Sequence, residues 1–520
     1  MDKLIIVIPL LPMVAITIIC LSQLVGLFSA SKSETLTANL TLLTNGLILL
    51  CLVFILVSGL LYQTNGYYSA GIWLESEQFS ITLNFITEGF RLYLATLIAG
   101  LLFWLSRFAR QFMQGEAGFQ RLFIVLNVFS SAIYCLLLSA NLVFTFIGWE
   151  IAGVAGYFLI AYAYENQNAV INANRVFITN RIGDISFIMA IALCYTWSGS
   201  NNWQDLLQLT PDLSASEINL LTLCFTIAAL TKAAQFPFSP WLSRALEGPS
   251  TVSALIIGAI LVHMGVFIII ELQVLFEKSL ILMSGLIVFG ALTVIYASLQ
   301  SYTHTNVNNA LSSAITRQLG LMFVECGLGL WQLACWHLAI HTLIRGYQIL
   351  TPARNLSQLR PTRRLPLPAV LTRYRWAYVM SLQGFWLDPL ADWTIVDPAL
   401  RLSKDLGYFD DHIIDATLGA PAPAINALSS LAQLEEQKIG AQLDNETDDF
   451  THGSGLAGKL AASSSLVLHW IEERLVIQGM HQDSLSIGRQ IGHIANKIEQ
   501  LLIRPRYLSL FVFITLLAAF

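Results

Sequence analysis

Long uninterrupted apolar runs dominate the chain, with little of the strict alternation that marks half-buried strands. Runs of about 17–25 residues match the length a helix needs to cross the hydrocarbon core of a bilayer. They fall near 4–28, 40–62, 87–106, 122–140, 142–164, 176–197, 217–236, 249–271, 279–299, 313–329 and 331–350. A shorter run, 507–520, adds a twelfth that is thin for a full crossing. The pattern predicts an all-α polytopic membrane protein with about 11–12 transmembrane helices. The first run is too long for the core of a secretory signal and has no evident cleavage site, so it reads as a true span.

The pattern is broken most sharply between Ala228 and Gly265. This stretch is apolar at both ends, yet it contains Lys232, Pro237, Pro240, Pro249 and His263. Proline inside a helix removes a backbone hydrogen bond and kinks or breaks it. A lysine at membrane depth costs about 2.5–3.5 kcal/mol on insertion scales and marks ion or substrate paths. A broken helix that holds a buried cation is a recurrent design for moving ions.

Loop charge sets the expected orientation. Arg107, Arg110, Arg121, Arg175, Arg244 and Arg317 fall on one face if every run crosses once, whereas 63–86 and 198–216 contain neither Lys nor Arg. The arginine-bearing face is therefore expected in the cytoplasm of a bacterial inner membrane, with the N-terminus outside. Past Leu350 the composition changes. Six arginines from Arg354 to Arg375 alternate with Pro352, Pro361, Pro366 and Pro368. This places 351–505 in the cytoplasm or at its membrane surface, with Trp386, Trp393 and Tyr408 as interfacial anchors. An acidic stretch at 435–455 reads as a linker. Ile487, Ile491, Ile494, Ile498 and Leu501 recur at helical spacing, an amphipathic helix suited to a partner or a membrane surface.

Composition agrees: the chain is 55% hydrophobic and 12% charged, against about 25% charged in soluble domains. A net charge of −5 without a basic aromatic surface gives no reason to expect a nucleic-acid partner. The seven cysteines lie in apolar runs without a CxxC pair and read as buried small hydrophobes. No phosphate-binding glycine motif is present. No cofactor is expected in the chain.

Polar residues inside the runs are the candidate site. Glu150 closes FTFIGWE, and its natural partner is Lys232; the bland reading is a structural ion pair. Arg181 and Asp184 are i,i+3 and share a helix face. They either fix the helix or tune the Glu150 region. His263 is either a satisfied core residue or a relay. His337 and His341 lie i,i+4, with Arg345 one turn further. Zinc binding by the two histidines lacks a third ligand of the HExxH kind, and a proton relay is favoured over metal. Glu325, near a helix end, either faces the outer interface or takes part in function.

At these residues the chain resembles the antiporter-like, proton-translocating subunits of respiratory complex I and the multi-subunit sodium/proton antiporters, the NADH dehydrogenase subunit 5 type. The segments GEAGFQRLFIVLNVFSSA, GWEIAGVAGYFLIAYAY, RVFITNRIGDISF, LTKAAQFPFSPWLSRALEGPSTVSALI and HLAIHTLIRGYQIL carry it, in order, over about 85–350. Family members are similar to two inverted five-helix repeats. The resemblance implies a transport or energy-coupling subunit, not an enzyme by itself. It implies one broken helix and a complete first repeat, because the second stops after three helices and its broken helix is absent. The family's proton path would match Glu150, Lys232, His263, His337 and His341, with Arg181, Asp184 and Arg345 tuning it. Ile257 replaces a frequent histidine, and Arg345 replaces the relay lysine. Arginine does not deprotonate in proteins. The reading divides the chain into N-terminal helices (1–120), a half-channel repeat with the broken helix (121–271), a truncated second repeat (272–350), a helical cytoplasmic segment (351–505) and a short membrane helix (506–520). That truncation, with QLGLMFVECGLGLWQLACWHLAIHTLIRGYQIL, is similar to the membrane subunit of DAB-type inorganic-carbon accumulating systems. The resemblance implies a large cytoplasmic partner, a zinc protein resembling a β-carbonic anhydrase, so that any zinc is the partner's. Respiratory quinone oxidoreductase or Na+/H+ antiporter subunits, or a non-conducting scaffold, are the alternatives.

Overall fold

A computed structural model describes residues 3–409, apart from 25–29, 63–65, 77–78, 117, 247–250, 304–306 and 356–374. Pro249, the amphipathic pattern at 485–502 and the run at 507–520 lie outside the described residues. The chain divides into two compact units, Met1–Val396 and Asp397–Phe520.

The first unit is a helical bundle. Its elements are α1 (Leu4–Leu24), α2 (Ala30–Leu61), a hairpin of β1 (Tyr67–Ser76) and β2 (Phe79–Ile86), α3 (Gly89–Phe112), α4 (Phe119–Leu138), α5 (Leu142–Ile160), α6 (Gln167–Ser198), α7 (Trp203–Leu209) and α8 (Ala215–Lys232). After the break come α9 (Pro240–Ala245), α10 (Thr251–Leu255), α11 (Met264–Glu271), α12 (Gln273–Phe276), α13 (Leu280–Ser301), α14 (Val307–Gly327) and α15 (Trp331–Asn355). Two short helices, α16 (Arg375–Leu382) and α17 (Leu387–Ala391), close the unit. In the second unit the described residues form one helix, α18 (Asp397–Phe409).

The fold is the expected all-α polytopic one. Eight helices among the described residues are long and apolar enough to cross a membrane, against the 11–12 expected. The difference has a physical reason. The runs at 217–236, 313–329 and 331–350 do form helices, but Lys232, Arg317, Glu325 and Arg345 and their polar neighbours dilute their apolar character. A second correction concerns 63–86, expected as a plain loop. It forms an antiparallel hairpin with Tyr67 opposite Ile86 and Ser76 opposite Phe79, with register shifts around Ile72.

Close approach between helices rests on small residues, as in other membrane bundles. A Cβ on Gly290 of α13 would stand 2.6 Å from Gly320 O of α14, and one on Gly183 of α6 would strike Thr231 of α8. Two opposite faces follow from the loop contacts. On one, Phe85 bridges Ser139, Ala140 N–H donates to Asn84 O (2.7 Å), and Leu142 N–H donates to Asn201 O (2.7 Å). The same face holds Arg91, which donates to Glu271 (2.6 Å) and to Ser139 O (2.7 Å) while lying over the Trp203 ring (4.7 Å). The other face carries Arg121, Arg175 and Arg244. There α17 and its neighbour turn are tied down, because Arg244 pairs with Asp388 (2.9 Å) and Arg175 holds both oxygens of Asp392 (2.7 and 2.6 Å).

Candidate functional site

The helix break is real, and its freed backbone groups are satisfied. The capping box of Ser214 and Glu217 starts α8, which ends at Lys232. Ala234 then takes a left-handed conformation (φ 50°), unusual for a residue with a Cβ. Trp241 Nε1 donates to Thr231 O (2.7 Å), and Phe236 N–H donates to Thr293 Oγ1 (2.9 Å). Irregular backbone persists at membrane depth only where protein supplies such partners. Pro237 sits within the break. Pro240 is the first residue of α9, where its missing N–H costs nothing.

Lys232 is buried, and its ammonium donates to Trp149 O (3.0 Å) and lies 4.5 Å from the Trp149 ring centroid. Trp149 Nε1 in turn donates to Asp184 Oδ1 (2.8 Å). Arg181 bridges Glu150 (2.7 Å) and Asp184 (2.8 Å). The expected i,i+3 partnership of Arg181 and Asp184 is therefore present. The expected direct contact of Glu150 with Lys232 is not. Arg181 takes the carboxylate, because α6 packs beside α5 and its longer guanidinium arm reaches Glu150 across that interface. Glu150 Oε1 is buried without a hydrogen-bond partner.

A cavity of about 20 Å3, enough for about one water, lies among Lys232, Arg181, Asn180, Gly153, Gly156 and Leu261. Gly153 makes this room: a Cβ there would stand 3.1 Å from Lys232 Nζ. Beyond Leu261 the second cluster begins. Residues Ile256–Ile260 form a π turn and Leu261–His263 a 3-10 turn, and this delivers His263 into the bundle. π turns within helices are frequent at functional sites. Nothing in the uniformly apolar sequence IIGAILV signals it.

His263 Nε2 lies 2.8 Å from His341 Nδ1, and Arg345 Nε donates to His341 Nε2 (2.9 Å). His337, one turn from His341 with ring centroids 6.0 Å apart, instead contacts Glu325 (2.8 Å) and Gln318 (3.1 Å). The expected single histidine row is thus two contacts, one buried around His341 and one nearer a face around His337. Sequence reasoning placed Glu325 near a helix end but did not pair it with His337. Their spacing across the α14–α15 turn was the available signal. Among the described residues no cluster of three or more His, Cys, Asp or Glu side chains could hold a metal ion.

The family model described as the membrane domain of NADH:quinone oxidoreductase and Mrp antiporters matches residues 139–360, the span that holds both clusters. Over that span the chain is similar to the antiporter-like membrane domain of this family. Subunit L of NADH-quinone oxidoreductase from Escherichia coli is 30% identical over 345 residues, 64% of this chain and 56% of that protein. Subunit 5 of the chloroplast NAD(P)H-quinone oxidoreductase of Ipomoea purpurea is 30% identical over 275 residues, 52% of this chain and 39% of that protein. The chain spans about half the length of the curated relatives it matches. A subunit of the Mrp complex from Dietzia sp. DQ12-45-1b shares the fold at a TM-score of 0.59 and 15% identity, covering 98% of this chain and 62% of its own. The archaeal membrane-bound sulfane sulfur reductase contains a chain with a TM-score of 0.58 at 15% identity, covering 73% and 61%. Glu150, Lys232, Asp184, His263, His337 and His341 all lie inside the matched span.

Proposed function

We propose that the chain conducts protons through the bundle and couples their flux to a cytoplasmic partner. One observation carries the reading. A buried lysine at a helix break faces a cavity that extends to the turn bearing His263, and His263 is hydrogen-bonded to His341 on another helix. Lys232 and the histidines are groups that can gain and lose protons, and they are set in series in an apolar bundle. Glu150, Arg181 and Asp184 hold the field around Lys232. Arg345 keeps its charge and biases His341 without carrying a proton itself.

The coupled process we propose is uptake of inorganic carbon. The partner would be a large cytoplasmic zinc protein resembling a carbonic anhydrase, whose hydration of CO2 to bicarbonate proton flow makes unidirectional. What supports this version is the likeness to DAB-type membrane subunits. The placement of α17 and the turn after it, held on the arginine-bearing face by Arg244 and Arg175, agrees with a partner on that side. Lys232→Ala is expected to abolish growth at low CO2 while the complex still assembles. Normal growth of that variant would sink the coupling role.

The second reading is a subunit of a respiratory quinone oxidoreductase or a Mrp-type antiporter, favoured by the relatives named above. Co-purification decides between them: a large zinc-containing soluble protein supports the first, and a flavin and iron–sulfur arm supports the second. In liposomes, proton flux that survives Glu150→Gln and Lys232→Ala unchanged would leave neither, and no flux from the wild type would leave a scaffold.

A further inference from the structure

α15 places His337, His341 and Arg345 at successive turns, but their protons are fixed by different neighbours. Arg345 Nε can only donate, so His341 Nε2 accepts from it and the proton of His341 sits on Nδ1. That Nδ1–H donates to His263 Nε2, which leaves the proton of His263 on Nδ1, buried and without a partner. This inner pair is neutral, with both tautomers set by one arginine.

His337 differs. Its Nε2 faces Gln318 Oε1, an acceptor, so Nε2 carries a proton. Its Nδ1 lies 2.8 Å from Glu325 Oε1, a distance that requires one more proton, on the ring or on the carboxyl. Glu325 Oε2 is buried and has no partner. Exposure rises along the row. The side chains of His337 and Glu325 are 21% and 16% exposed, whereas His263 is 0% and His341 6%. The position is also fixed. Glu325 lies next to the end of α14, and a Cβ on Gly327 would stand 2.7 Å from Met283 O at the start of α13. That is the face of the hairpin and of Arg91, opposite Arg175 and Arg244.

Resting on proton conduction as read above, we propose that Glu325 and His337 form the proton-exchanging mouth of the histidine row at the arginine-poor face. The pair cycles between two states. With two protons it is an imidazolium–carboxylate pair of net charge zero, and with one it is a neutral ring beside a carboxylate. One proton crosses between the pair and the solvent at that face. One crosses between His337 and His341 over the 6.0 Å between their rings, through water. No bond other than those to the proton changes.

The test is proton flux of the full chain, with whatever co-purifies, in liposomes under an imposed potential. Glu325→Gln and His337→Gln are each expected to lower flux at least ten-fold. The double variant loses no more than either single one, and Glu325→Asp recovers most of the flux. Melting temperatures stay near that of the wild type, which a merely structural role would not allow together with the aspartate rescue. Lys232→Ala serves as the comparator. Flux lost in Lys232→Ala but kept in Glu325→Gln overturns the mouth and leaves conduction standing; flux kept in both overturns conduction. If a glutamine variant fails to insert, wild-type protein with 15N-labelled histidine gives an independent measurement. A His337 ring seen protonated at both nitrogens and, in exchange with it, at one supports the pair. Its absence overturns it.

Discussion

Gly153→Ala isolates the water-sized space beside Lys232. The new methyl would stand 3.1 Å from Lys232 Nζ, inside the 3.4–4 Å of ordinary contact. The ammonium must retreat by a few tenths of an ångström, which lengthens its 3.0 Å bond to Trp149 O. The methyl also occupies a cavity of about 20 Å3, room for about one water. Overpacking costs about 1–3 kcal/mol, and the low end applies because the neighbour is the mobile end of a lysine. Alanine in place of glycine within a helix returns up to about 1 kcal/mol. Stability should therefore be nearly unchanged. Losing one water-mediated link costs about 1–1.5 kcal/mol along the proton path, or roughly ten-fold in rate. The assay pairs proton flux in liposomes with a thermal melt of the same preparation. Flux within two-fold of wild type, with the melt unmoved, would refute the claim that this space carries the path.

Further outcomes follow from the packing. Arg91→Ala strands Glu271 and vacates the Trp203 face, so thermal or denaturant unfolding should show a loss of about 3 kcal/mol; Arg91→Lys, which cannot reproduce both contacts, should recover only part. Asp388→Asn with Asp392→Asn removes two half-exposed ion pairs worth about 1 kcal/mol each at most, and protease cleavage at 375–396 should speed up while proton flux through Lys232 persists. Gly183→Ala drives a Cβ against Thr231 and Ala228, and α6 must move off α8; a drop of about 1–3 kcal/mol in stability is expected, with flux falling too because Asp184 moves with the helix.

The spans and the charged candidates were legible because a charge in an apolar run announces itself. The pairing among them was not. Which carboxylate meets which cation depends on how α5, α6 and α8 cross, and that crossing gives Glu150 to Arg181 and not to Lys232. The ties from Arg175 to Asp392 and from Arg244 to Asp388 join residues 217 and 144 positions apart, so no local pattern could have found them. The hairpin is another matter. In FSITLNFI, apolar and polar residues alternate with period two, and the short pattern was outweighed by the long helical runs around it. The π turn before His263 left no trace in its sequence, because every residue there is apolar whichever way the backbone winds.

The hairpin and Arg91 have a mechanical consequence. Strand β2 is laced to the α4–α5 turn, that turn to the start of α7, and α3 to the end of α11, all at one end of the bundle. The other end is held to α17 by two half-exposed ion pairs. The bundle is therefore pinned like a folding fan. Were the helices around Lys232 to pivot, this bracing would hold the hairpin end still and leave the movement to the end where Arg175 and Arg244 hold α17 and the turn after it.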